Sequence, residues 1–106
     1  MEEDFFEACL DVVAELAPGE VVSYGDVAER AGRPGAARAA GAVLARSMGT
    51  VPWWRVVYAD GRLPVCGPEE QTARLRSEGA VVDAGRVRSS PAGRFATDRD
   101  VLDRAP

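Results

Sequence analysis

Four side chains of this sequence are the first candidates for a chemical role: the adjacent tryptophans Trp53 and Trp54, and the cysteines Cys9 and Cys66. A cysteine acts as a nucleophile only as a thiolate, which needs a base or a cation beside it. The sequence contains no histidine, so Cys-His pairs, histidine-ligated metals and histidine acid–base chemistry are excluded. Two cysteines are too few for a disulfide framework or a cysteine-built metal site. We therefore expect no metal and no cofactor.

The tryptophans offer a different chemistry from the cysteines. An indole has neither a nucleophilic sulfur nor a useful proton acceptor, but it has a large apolar face and one N–H donor. Such a group can stack on a nucleic acid base or enclose an alkyl substituent. The alternative is that Trp53 and Trp54, which follow Pro52, pack in the core.

The charge distribution indicates where a polyanion could bind. Residues 1–29 hold nine acidic and no basic side chains, whereas residues 30–62 hold six arginines and one aspartate. The central third is therefore the part suited to a polyanion, although an ordinary solvated basic face would have the same composition.

Helices must position these side chains. Apolar residues at helical spacing predict a first helix over residues 5–16, with Cys9 as a small core residue on its buried face. Ser23 and Asp26 have the spacing of a capping box, which predicts a second helix up to about residue 31. Pro34 suits the first position of a third helix that continues to about residue 46. Two helices joined by a tight turn indicate a helix-turn-helix.

Short β segments and a fourth helix complete the prediction. A strand is expected near residues 56–58, and the turn at residues 60–61 is expected to lead into a hairpin partner at 62–65. A fourth helix is predicted over residues 68–78 and a second small hairpin around residues 81–87. We therefore predict a mainly α fold, with a winged-helix-like three-helix core, a helix-turn-helix and a small β-hairpin.

The chain length of 106 residues suits one domain. We predict that it occupies residues 1–88, because the polar residues 89–106 are typical of a loosely ordered tail. No run approaches the ~20 apolar residues of a membrane helix. The acidic N-terminus lacks the basic start of a signal peptide, so we expect a cytoplasmic protein.

The third helix has an unusual exposed face. Arg38 shares that face with small residues such as Gly41, whereas a helix that reads sequence in the major groove carries several polar side chains. A smooth face favours close backbone approach to DNA, through minor-groove binding or insertion into the base stack. The alternative is an alanine-rich core helix with one solvated arginine.

Three motifs in order resemble the DNA-binding domain of the O6-alkylguanine-DNA alkyltransferases, over about residues 4–82. They are Val21-Val22-Ser23-Tyr24, Ala36-Ala37-Arg38-Ala39 with Gly41, and Pro52-Trp53-Trp54-Arg55-Val56-Val57. Those enzymes carry Pro-Cys-His-Arg-Val-Val in the third motif, so Trp53 stands at the alkyl-accepting cysteine and Trp54 at the activating histidine. The sequence is similar to the alkyltransferase-like proteins, a non-enzymatic branch in which tryptophan commonly replaces the cysteine.

The resemblance implies roles for individual residues. The helix-turn-helix would lie in the minor groove, with Arg38 entering the stack where the damaged nucleotide rotates out. Tyr24 would help to turn the phosphate, and the small Ala37 and Gly41 would permit close backbone approach. The loop at residues 63–68 would form one wall of a pocket for the flipped base. The other pocket residues would be Pro52, Trp53, Trp54, Arg55 and Val56.

The resemblance thus implies a sensor of DNA damage with no catalytic residue. It would bind duplex DNA containing O6-alkylguanine as a monomer, in the cytoplasm at the nucleoid, and mark the lesion for nucleotide excision repair proteins. Two alternatives stay open. One is a small winged-helix transcription regulator that binds undamaged DNA, and the other is a residual enzyme that uses Cys66 as a displaced alkyl acceptor.

Overall fold

The computed structural model describes residues 2–47, 49–64 and 68–96. Within those ranges the helices are Glu2–Ala14 (α1), Tyr24–Arg30 (α2), Ala37–Arg46 (α3) and Pro68–Ser77 (α4). The strands are Glu20–Ser23 (β1), Val56–Val57 (β2), Val81–Asp83 (β3), Arg86–Ser89 (β4) and Ala92–Gly93 (β5), and a 3₁₀ turn covers Trp53–Arg55. The predicted helix-dominant fold is confirmed. None of these helices is long and apolar enough to cross a membrane.

The first three helices pack around one apolar core. Cys9 and Val13 of α1, Val27 of α2 and Ala40 of α3 are all fully buried there. Burying a valine-sized side chain stabilises a fold by roughly 1.5–3 kcal/mol. Burial also raises the pKa of the Cys9 thiol, and the nearby Arg33 only partly offsets it. Cys9 is thus the packing residue that the helical spacing predicts.

A capping box joins β1 directly to α2. The Ser23 Oγ accepts a hydrogen bond of 3.0 Å from the Asp26 backbone N–H, and the Ser23 N–H donates one of 3.0 Å to the Asp26 carboxylate. The box satisfies two backbone donors that a helix start leaves free. Because strand and helix meet without a loop, Tyr24 is held at a defined position at the start of α2.

The third helix begins later than the sequence predicts. Pro34 is expected at its first position, but α3 starts at Ala37. The reason is Gly35, whose φ of 87° lies outside the range of a right-handed helix. Arg38 therefore lies in the first turn of α3. The N-cap residue Ala36 supplies no side-chain acceptor to that turn.

The sheet differs from the predicted hairpin at residues 56–65. β2 pairs in parallel with β1, with Val22 opposite Val56, rather than antiparallel with the residues after the turn. Arg62 forms only an isolated bridge, to Arg86 of β4. The residues after the turn bond to β4 and its preceding turn instead: the Val87 N–H donates to the Gly61 carbonyl at 2.8 Å, and the Leu63 N–H donates to the Gly85 carbonyl at 2.9 Å.

The second predicted hairpin is present as β3 and β4. Its turn residues, Ala84 and Gly85, both have positive φ, at 51° and 73°. Beyond it, Ala92 and Gly93 fall in the predicted tail and form β5, which pairs in parallel with β1. The domain boundary at residue 88 stays a prediction.

Candidate nucleic-acid interface and base pocket

A cavity of about 850 Å³ lies beside α3 and the 3₁₀ turn, within the roughly 300–1,000 Å³ usual for small-molecule sites. The described residues that line it are Tyr24, Ala37, Arg38, Gly41, Leu44, Ala45, Gly49, Trp53, Tyr58 and Pro64. The structure therefore brings together all four predicted DNA-binding residues and Trp53. The lining is mostly aliphatic, aromatic or backbone, with Arg38 as its cation.

Arg38 differs from most arginines of the described part of the chain. Six of them pair with carboxylates: Arg30, Arg55, Arg62, Arg74, Arg86 and Arg94. Arg38 is exposed and has no ion pair or hydrogen bond with any described residue. Its guanidinium is therefore available to a ligand in or above the cavity.

Two tyrosines and a glycine shape the neighbouring wall. A Cβ placed on Gly41 would lie 3.8 Å from the Tyr24 ring, so that ring packs over the backbone of α3. The Tyr24 and Tyr58 rings have centroids 5.5 Å apart and planes tilted by 57°. Tyr58 is not among the residues that the sequence predicts for the site. Its only sequence signal is an aromatic residue between a β-branched pair and an Asp-Gly turn.

The 3₁₀ turn sends its two indoles to different surroundings. With three residues per turn, consecutive side chains point about a third of a rotation apart. Trp53 lines the cavity. Trp54 instead donates its indole N–H to Glu78 at 2.9 Å, and its ring lies 4.5 Å from the Arg74 guanidinium. Trp54 also packs against the apolar cluster under α4 and the β3–β4 hairpin.

Arg55 and Glu78 form a nearly buried ion pair behind the turn. The Arg55 Nε and Nη2 donate to the two Glu78 carboxylate oxygens at 2.9 and 2.7 Å, and its Nη1 donates to the Leu16 carbonyl at 2.7 Å. The hydrogen bonds from Arg55 lower the pKa of Glu78 to about 2, although burial acts in the opposite direction. Hydrogen bonds from the Gly19 N–H and the Trp54 indole contribute to this lowering. Glu78 is therefore an ionised anchor, and nothing local in the sequence marks it as one.

Gln71 holds the same segment from α4. Its side chain is fully buried, and its Nε2 donates to the carbonyls of Trp54 and Val56 at 3.1 Å each. These two carbonyls lie where the 3₁₀ turn passes into β2, so Gln71 fixes the course of the backbone at that point.

Four of the five predicted pocket residues are thus not in the described cavity lining. Trp54 and Arg55 face Glu78, and Val56 is a fully buried residue of β2. Pro52 is half-buried at the start of the turn and is not in the cavity lining. On the predicted opposite wall, Pro64 borders the cavity, whereas residues 65–67, with Cys66, lie outside the described residues.

A helix-turn-helix that presents small residues and one cation beside an apolar cavity defines a nucleic-acid-binding domain with an adjoining pocket. The sequence model of the 6-O-methylguanine DNA methyltransferase DNA-binding domain matches residues 4–80. The chain belongs to this family.

Several characterised proteins resemble this chain over most of its length. A "DNA base-flipping protein" of Escherichia coli (strain K12) is 42% identical over 85 residues, which cover 76% of this chain and 66% of that protein. The crystal structure of S. pombe Atl1 in complex with damaged DNA containing O6-carboxymethylguanine superposes with a TM-score of 0.70 at 30% identity, covering 76% and 81%. Mycobacterium tuberculosis OGT in complex with DNA gives a TM-score of 0.54 at 27% identity, covering 96% and 55%.

Proposed function

We propose that this protein binds duplex DNA, rotates O6-alkylguanine out of the stack into the cavity beside Trp53, and holds it without removing the alkyl group. One observation carries the proposal: a single cavity joins Arg38 and Gly41 of α3 to Trp53. The names and titles of the relatives, a base-flipping protein and Atl1 bound to damaged DNA, support it.

The face of α3 suits the opening of a base pair. Ala37 and Gly41 keep the helix surface low, so that its backbone can approach the minor groove closely. Arg38 would enter the stack and fill the gap that the rotated base leaves, since a planar guanidinium can stack on bases. Opening costs a few kcal/mol and less for a damaged base. Tyr24, whose ring lies against Gly41, would guide the rotated phosphate.

The pocket would bind its lesion without a covalent step. Trp53 stands where the related enzymes carry their acceptor cysteine, and an indole is not a nucleophile. No thiol is among the described lining residues. The indole face and the aliphatic walls would instead enclose the apolar adduct, so we propose that the protein is not an enzyme.

Trp54, which stands where the related enzymes carry their activating histidine, has a structural role in this proposal. Its indole N–H donates a hydrogen bond to the ionised Glu78, which also pairs with Arg55. This arrangement contains no proton acceptor suited to activating a nucleophile at Trp53. We assign it instead to holding the 3₁₀ turn in position, so that Trp53 reaches the cavity.

We propose that the complex signals to nucleotide excision repair proteins. The acidic side chains Asp4, Glu7 and Asp11 are exposed along α1, and Glu15 is exposed directly after it. Together they offer a candidate surface for such a partner. In this proposal the protein acts as a monomer in the cytoplasm, associated with the nucleoid when bound to DNA.

A gel-shift comparison tests the proposal. Matched duplexes with and without a single O6-methylguanine are titrated with the protein at the same salt concentration. We expect clearly tighter binding to the lesion duplex. Equal binding to both duplexes would refute lesion recognition and favour a regulator that binds undamaged DNA.

A further inference from the structure

We propose that the turn at residues 58–62 carries a second DNA contact, in which Arg62 and Arg86 bind backbone phosphates at the Tyr58 rim of the cavity. The proposal rests on the proposed function, because it places these phosphates beside a base held in that cavity. Arg86 lies beyond residues 4–80, which the family model matches. The partner chemistry is a phosphodiester of duplex DNA.

The turn is held rigidly by hydrogen bonds. The Tyr58 N–H donates to the Arg62 carbonyl at 3.0 Å and the Gly61 N–H to the Tyr58 carbonyl at 2.9 Å. Gly61 is pressed against β4, where a Cβ would come within 2.5 Å of the Val87 carbonyl oxygen. The turn thus has one geometry before any ligand arrives, which lowers the entropy lost on binding.

This fixed turn presents an aromatic ring at the cavity and a cation beside that ring. Tyr58 lines the cavity and is nevertheless 41% exposed, which among the described residues is unusual for a large hydrophobic side chain. The Arg62 guanidinium lies 5.5 Å from the Tyr58 ring centroid and its side chain is 63% exposed. The attraction between a guanidinium and an aromatic ring limits the positions that the arginine side chain can take. The N–H donors that are not paired remain directed towards solvent.

The charge around the turn is unbalanced. Arg62 and Arg86 share one carboxylate, that of Asp60, at 2.8 and 3.6 Å. One anion between two guanidinium groups leaves a net positive charge, and both side chains are substantially exposed. Exposed ion pairs contribute little and exchange readily. A phosphate has the charge and the acceptor oxygens to complete the site, because guanidinium binds phosphate through two parallel hydrogen bonds.

Arg94 adds a third cation to the same surface. Its Nε donates to the Ala59 carbonyl at 3.3 Å, and its Nη1 pairs with Asp26 at 3.0 Å. Arg94 thereby attaches the segment after β5 to the turn and to α2. It is already committed to a carboxylate of its own, so we assign the phosphate contact to Arg62 and Arg86.

The test is the salt dependence of binding to a fluorescent O6-methylguanine duplex. Each phosphate contact contributes about −0.9 to the slope of log affinity against log salt. We expect Arg62→Ala and Arg86→Ala each to reduce the slope by about 1 and the double variant by about 2. The matched control is Arg30→Ala, which removes another exposed, ion-paired arginine and should keep the wild-type slope.

Asp60→Asn supplies a test of opposite sign. It removes the shared negative charge while its amide oxygen can still accept from the Arg62 N–H. Binding should therefore tighten several-fold, a result that damage to the fold would not produce.

The outcomes separate the two proposals. Wild-type protein that prefers the lesion duplex, with an unchanged slope in the double variant, would overturn the phosphate contact alone. An equal loss of slope in Arg30→Ala would also overturn it, since the effect would then be one of overall charge. Wild-type protein that binds neither duplex would overturn both proposals.

Discussion

Trp53 and Trp54 are consecutive residues whose indoles meet edge to face, with ring centroids 6.0 Å apart and planes at 87°. Aromatic rings favour this arrangement. The Trp53 ring borders the cavity, whereas the Trp54 ring donates a hydrogen bond to Glu78 and stacks against the Arg74 guanidinium. The Trp53 ring thus rests on the Trp54 ring, which is held in turn by Arg74 of α4. A ligand that contacts Trp53 would meet a ring that is fixed from behind.

Tryptophan emission should report on the cavity, because Trp53 and Trp54 are the only two indoles in the chain. We expect a larger change with lesion duplex than with undamaged duplex at equal occupancy, since a purine would stack only in the first case. Trp53→Phe should remove most of the difference, and Trp54→Phe should keep it. Identical changes with both duplexes in wild-type protein and in both variants would exclude a base beside these rings.

Arg38→Ala should weaken binding to the lesion duplex by about 2 kcal/mol, because the gap left by a flipped base would stay empty. Arg38→Lys should recover only part of the loss, since an ammonium cannot stack as a guanidinium does. Fluorescence anisotropy at one fixed salt concentration measures both variants. Arg30→Ala is the control for the loss of one positive charge. Lesion affinity of Arg38→Ala equal to that of wild type would remove Arg38 from the interface.

Gly41→Ala should separate DNA binding from folding. The new methyl group would meet the Tyr24 ring at an ordinary contact distance of 3.8 Å, and alanine is favoured over glycine inside a helix by about 1 kcal/mol. We therefore expect equal or higher stability in urea but weaker DNA binding, because the methyl group would stand on the face of α3 that is proposed to approach the duplex. Unchanged DNA affinity in this variant would show that the backbone of α3 does not approach the duplex closely.

Stability should depend on pH through Glu78. Its pKa falls from an ordinary 4.5 to about 2 in the folded protein, so the unfolded chain takes up the proton first as the pH drops. The stabilisation is complete above about pH 4.5 and is lost as the pH falls towards 2. Glu78→Gln should reduce this dependence, and at pH 7 it should cost about 3 kcal/mol because Arg55 loses its buried partner.

The matched control for this experiment is Glu70→Gln, which removes an exposed partner of Arg74 on the same helix. It should change stability by less than about 1 kcal/mol. Urea unfolding at pH 7, 4 and 2.5 provides the comparison. A pH profile of Glu78→Gln that coincides with that of wild type would mean that Glu78 is not the group that titrates.

Intact-mass spectrometry should find no methyl group on the protein after incubation with DNA containing O6-methylguanine. The buried Cys9 is kept neutral by its raised pKa, and the resemblance to the alkyltransferases puts Trp53 at the acceptor position. Trp53→Cys should also stay essentially inactive, because Trp54 cannot act as its base. A mass gain of one methyl group on Cys66 in the wild-type protein would contradict the proposal that the protein is not an enzyme.

Local patterns in the sequence are enough to predict much of the fold. The capping box of Ser23 and Asp26, the buried Cys9 and the turn at Gly85 depend on residues within a few positions of one another. The resemblance in three separated motifs also predicts Tyr24, Arg38 and Trp53, which all line the cavity.

Long-range contacts decide the rest. The parallel pairing of β1 with β2 joins Val22 to Val56, and no local pattern distinguishes it from the predicted hairpin. Trp54 and Arg55 lie outside the cavity because Glu78, more than twenty residues later, accepts hydrogen bonds from both. Hydrogen-bond partners so distant in sequence are selected by the packing of α4 against the turn. Only the tertiary structure therefore shows which indole faces the cavity.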